Sequence, residues 1–155
     1  MFNKILVPLD GSERAEAILP YIEYLASRDD KSQVVLLQVI EPSAAILTSR
    51  APIVDQETID RIYDEAGDYL EKLQVRLGEK RIHARTHVAF GPIVTTIIDF
   101  AGQEKVDLIA LASHGRSGVP ALFYGSVAAG VLHRADRPLL IIRSNQTSWL
   151  GETTR

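Results

Sequence analysis

Five short apolar runs alternate along this chain with segments of helical periodicity, and few architectures accept that alternation. The runs are KILVPL (4–9), QVVLLQVI (33–40), ARTHVAF (84–90), DLIALA (107–112) and PLLIIR (138–143). Four of them are apolar almost without interruption, which suits strands of a parallel sheet covered on both faces. The third alternates. Arg81, His83, Arg85 and His87 share one face, and Ile82, Ala84, Thr86 and Val88 the other. That pattern belongs at a sheet edge, where one face is wetter.

Between the runs, apolar residues recur at spacings of three and four. From Glu13 to Ser27 they are Ala15, Ile18, Leu19, Ile22, Leu25 and Ala26. From Glu57 to Leu77 they are Ile59, Ile62, Ala66, Tyr69, Leu70, Leu73 and Leu77, with Gly78 expected to stop the helix. Pro92 suits a first helical position, with Ile93, Val94, Ile97, Ile98 and Ala101 inward and Gly102 at the end. The last helix is expected from Ser126 to about Ala135, with His133 and Arg134 near the negative end of its dipole. The order β-α-β-α-β-α-β-α-β predicts a doubly wound α/β sheet with right-handed crossovers.

A length of 155 residues suits one domain, and no internal repeat suggests a second. That domain is expected over 1–143, with a loose polar tail at 144–155 whose Trp149 and Leu150 could dock on the body or a partner. The 41–56 connection is long for an α/β unit, and connections of that length commonly serve as lids or partner-binding segments. A net charge of -3 leaves no basic footprint for nucleic acid or an anionic membrane. With zero cysteines there is no disulfide, thiolate metal site or cysteine nucleophile. No apolar stretch reaches the roughly 18 residues of a spanning helix, and MFNKILVPLD lacks the shape of a signal peptide. A cytoplasmic location is the expectation.

In open parallel sheets, ligands lie beyond the carboxyl ends of the strands, where strand order reverses. The first strand ends at Asp10 and the fourth leads into SHGRSGVPALFYGS, residues 113–126. If these strands are neighbours, Asp10 and that loop share a crevice. Asp10 could then accept a hydrogen bond from an exocyclic amine or a ribose hydroxyl. Alternatively, Asp10 or Ser12 simply caps the first helix. Gly115 and Gly118 let backbone N–H groups approach an anion without Cβ interference. Gly125 and Ser126 open a helix whose free N–H groups favour phosphate. Arg116 could pair with that phosphate, and His114 could touch the ligand.

Familiar phosphate and nucleophile motifs are absent: no G-x-G-x-x-G follows the first strand, no P-loop lysine is present, and Gly115-Arg116-Ser117-Gly118-Val119 misses the nucleophile elbow. His83 and His87, four apart on a strand, are about 13 Å apart and cannot chelate one ion. No metal site is expected.

The stretches ILVPLDGSERAEAILPYIEYLA, VVLLQVIEP and DLIALASHGRSGVPALFYGSVAAGVLHRADRPLLIIR resemble the universal stress protein family, in order and spacing, over nearly the whole chain. The family's ATP-binding branch carries G, two residues, G, nine residues, then G-[ST]. Gly115 and Gly125-Ser126 match the later elements, while Ala112 stands where the first glycine would be. The resemblance implies a Rossmann-like, adenine nucleotide hydrolase-like sheet of five parallel strands in the order 3-2-1-4-5, with helices on both faces. It places Asp10 against adenine or ribose with Pro8 and Leu9 beside it, and Val39 at the adenine edge. Ala112, His114, Gly115 and Arg116 would line ribose and phosphates, with Gly125, Ser126 and Val127 at the phosphate end.

The implied function is an ATP-binding module, with Mg2+ as a possible companion, that acts in stress response through nucleotide-dependent interactions with a protein partner the sequence does not identify. A slow ATP hydrolase is the second reading, though Arg116 is thin support for phosphoryl transfer. A non-nucleotide interaction protein is the third. In the implied strand order PLLIIR lies at an edge although it is apolar on both faces, so a homodimer through the fifth strand is expected.

Overall fold

The computed structural model describes residues 2–41, 55–113 and 125–144. The 42–54 part of the long connection, residues 114–124 of the glycine loop and the 145–155 tail therefore lie outside the described residues. The elements run β1 (Lys4–Leu9), α1 (Glu13–Glu16), α2 (Leu19–Ala26), β2 (Gln33–Ile40), α3 (Gln56–Glu79), β3 (His83–Phe90), α4 (Ile93–Gln103), β4 (Leu108–Ser113), α5 (Ser126–Arg134) and β5 (Leu139–Arg143). All strand pairs are parallel, in the order β3-β2-β1-β4-β5. This is the architecture expected above. No described helix is long and apolar enough to cross a membrane.

The continuous apolar runs are explained by two cores, one on each face of the sheet. Ile5, Val7 and Leu9 of β1 point to the first, with Val34, Leu36 and Ile40 of β2 and Leu108 and Ala110 of β4. Helices α1 to α3 cover that face through Ala15, Ile22, Leu70 and Leu77. Leu6, Val35, Leu37, Ile109 and Leu111 point the other way, against Ile97, Phe100 and Ala101 of α4 and Ala128 and Val131 of α5. Among the described residues β3 pairs only with β2, and it exposes His83 and His87, as its alternation predicts. The His87 ring rests 4.7 Å from that of Phe100. β5 forms the other edge, where Leu139 to Ile142 are only partly buried.

Four helix limits differ from expectation: Pro92 precedes α4 as its N-cap, with extended backbone (φ -62, ψ 123), and Ile93 takes the first helical position. The Glu13–Ser27 segment is two helices, broken at Ala17 and Ile18, whose N–H groups bond to Arg14 and Ala15 three residues back. Pro20 is the cause: its ring excludes the carbonyl of residue 16 from continuing the ladder. The other two concern glycines. α3 runs through Gly78 to Glu79, and α4 through Gly102 to Gln103. The left-handed residues are instead Arg81 (φ 61) and Lys105 (φ 51). In each case the next residue donates back to the helix, Ile82 N–H to Leu77 and Val106 N–H to Ala101, both at 3.0 Å. Ile82 and Val106 are buried at 5% exposure, so their docking drives the turn and the preceding residue accepts the unfavourable φ.

Arg81 and Lys105 are exposed, so glycine there loses little contact while removing the left-handed penalty. Arg81→Gly and Lys105→Gly are each expected to stabilise the protein by about 0.5–1 kcal/mol. Urea denaturation checks this, and a loss of stability in both would contradict the account of these turns.

Candidate functional site

The sheet opens at one place. β1 pairs with β2 through Leu9↔Gln38, and β4 with β5 through Ser113↔Arg143. Between β1 and β4 the register covers only Ile5↔Leu108 and Leu6↔Ile109. Beyond those pairs the hydrogen-bonded ladder stops, and the chain leaves β1 for α1 on one face while α5, after β4, packs on the other. Such a switch point is where an open parallel sheet offers a crevice. Pro8, which has no N–H for a ladder, stands past the last β1–β4 pair.

The crevice has a volume of about 400 Å3. Pro8, Leu9 and Asp10 of the β1 end, Val39 of β2, Ala112 of β4, and Gly125, Ser126 and Val127 all line it. The structure thus gathers these sequence-singled residues around one cavity, while His114, Gly115 and Arg116 lie outside the described residues. Ala15, Ile93, Ile97, Leu111, Ser113 and Ala128 also line it and were not singled out as site residues. Ile93 and Ile97 face inward, as their helical spacing predicts, and they form crevice wall as well as core.

Asp10, Gly11 and Ser12 form the turn at one rim. Gly11 has φ +82, a conformation side chains rarely adopt. Ser12 donates to Asp10 Oδ1 from its backbone N–H at 3.0 Å and from its hydroxyl at 2.6 Å. The same hydroxyl accepts from Ala15 N–H at 3.2 Å and so caps α1. Of the two capping alternatives, Ser12 is the cap, and Asp10 holds the capping hydroxyl while lining the crevice.

Behind this turn lies Tyr69 of α3. Burial pushes its phenol up, and the negative charges of Glu16 and Asp10 push it further in the same direction. The phenol therefore stays protonated at neutral pH, in a region of negative potential.

Also along the crevice, Gly125 is the N-cap of α5 (φ -56, ψ 158), and no side chain among the described residues caps the helix. The first-turn N–H groups, which have no partner inside a helix, stand beside Ser126 at the crevice. The crevice thus joins largely apolar walls to the Asp10 carboxylate and to the N-terminus of α5. It suits a ligand with a flat apolar part, hydroxyl or amine donors, and an anionic end.

Comparison with known proteins agrees with this architecture. The model of the universal stress protein family matches residues 1–143. Universal stress protein YxiE of Bacillus subtilis is 31% identical over 149 residues, spanning 92% of this chain and 100% of its own length. The solved structure of MJ0577 from Methanocaldococcus jannaschii superposes with a TM-score of 0.78 at 26% identity, covering 96% of this chain and 99% of that one. Two universal stress protein structures determined in complex with cAMP and with dAMP share the fold at 20% identity, with TM-scores of 0.61 and 0.64. The chain belongs to the universal stress protein family.

Proposed function

We propose that the crevice binds ATP, together with Mg2+ in solution, and that occupancy governs interactions with other proteins in stress response. One observation carries the proposal: Asp10, at the end of β1, and Gly125 and Ser126, at the start of α5, line a single largely apolar slot where the β1–β4 ladder stops. The adenine ring enters between Val39, Ile93 and Ile97. The Asp10 carboxylate accepts from ribose hydroxyls or the exocyclic amine, and Ser12 holds that carboxylate in place. The phosphates meet the first-turn N–H groups and hydroxyl of Ser126, with His114, Gly115 and Arg116 of the adjoining loop. The role assigned here is binding, and the residues are assigned no chemical step.

The partly buried apolar edge of β5 supports a second proposal, a homodimer in which two copies of β5 pair across a two-fold axis. Sedimentation at micromolar concentration is expected to give twice the chain mass. A monomer would refute the dimer and leave the nucleotide proposal standing.

Calorimetry with ATP and Mg2+ tests the binding site. Ser126→Ala is expected to weaken ATP by about 1 kcal/mol, because the helix N–H groups remain. Asp10→Ala is expected to weaken it more and to reduce discrimination against other nucleosides, while the fold persists. Gly115→Val is expected to abolish binding, since a β-branched side chain fills the space of a phosphate. ATP binding unchanged in all three variants would overturn the assignment.

A further inference from the structure

Ala112 is the β4 residue at which the crevice wall and the support of a helix coincide. Helix α1 is a single turn, Glu13–Glu16, and the break at Ala17–Ile18 separates it from α2. Its own hydrogen bonds are too few to fix its position, so what it rests on decides where it lies. It packs across β1 and β4, and Ala15 is its buried residue. On that face of β4 the residues are Leu108, Ala110 and Ala112, all within the first core. Ala15 and Ala112 also line the crevice. Ala15 of α1 and Ala112 of β4 thus belong to one packed cluster, and both form crevice wall as well. The Asp10–Ser12 turn is continuous with α1, and the Ser12 hydroxyl ties the two together.

We propose that Ala112 is a positioning residue: its methyl is the spacer on which α1 rests, and it thereby sets the crevice width and the placement of Asp10. This rests on the nucleotide reading of the crevice. Packed interiors respond to a single carbon in either direction, since a missing methyl leaves a gap and an added one forces displacement. An alanine here is thus an optimum and no obstruction. The methyl faces the first core, where it packs against the same cluster as Ala15 and Leu9. A glycine would withdraw that support, and a valine would push α1 outward.

The test compares Ala112→Gly, Ala112→Ser and Ala112→Val by ATP–Mg2+ calorimetry and by hydrogen exchange without nucleotide. Ala112→Val is expected to weaken ATP about tenfold, and Ala112→Gly several-fold, each with faster exchange over residues 12–17 and unchanged protection of β4. Ala112→Ser, close in size, is expected to stay within about twofold of the parent. Tighter ATP binding by Ala112→Gly would overturn the proposal, because the methyl would then be an obstruction. Unchanged exchange over 12–17 in both the glycine and valine variants would overturn it equally. If the parent binds no ATP, the nucleotide reading fails, and the exchange comparison still decides whether Ala112 supports α1.

Discussion

The structure depends on the ending of the β1–β4 ladder after two register pairs. Every other neighbouring pair of strands holds register to near its carboxyl end. The crevice lies there because the connections of these central strands go to opposite faces, and the two cores anchor those connections independently. A proline without a ladder N–H stands near the end of β1, and a left-handed glycine follows in the turn. The crevice follows from the topology, and the side chains at its rims give it chemical character.

Rigidity around the opening comes from short-range polar ties. Ser12 joins the β1 end to α1 through one hydroxyl that both donates and accepts. Glu16 of α1 reaches Arg76 of α3 at 3.4 Å, which links the turn of helix to the long helix behind it. At the far end of the sheet, the Asp107 carboxylate accepts the N–H groups of Asn3 and Lys4, both at 2.8 Å. Lys4 and Arg85 converge there on Glu104. There burial disfavours the Glu104 charge, but the bonds and positive charge of these two residues outweigh it and hold its carboxyl below the usual range. The amino ends of the strands are thus pinned, while the crevice lies at the carboxyl ends of β1 and β4.

Much of this was legible in the sequence, for reasons tied to particular residues. The unbroken apolar runs of β1, β2 and β4 declare burial on both faces, and the alternation around His83 and His87 declares an edge. The helix ends were less legible. Hydrophobic spacing runs straight across Ala17 and Ile18, because a stripe records which face is buried and carries no record of a broken ladder. Gly78 and Gly102 looked like stops, yet the docking of Ile82 and Val106 placed the left-handed residues at Arg81 and Lys105. The rim residues Asp10 and Ser126 stood out because polar groups at strand and helix ends invite a question. Ile93 and Ile97 did not, since a crevice wall and a core position have the same composition.

The central claim is that the β1–β4 crevice selects one adenine nucleotide, and native mass spectrometry with an equimolar mixture of ATP, GTP, CTP and UTP tests it directly. Each chain is expected to gain the mass of a single ATP, with the other three nucleotides left in solution. Chains that retain only their own mass, or that take up the four nucleotides without preference, would contradict the claim.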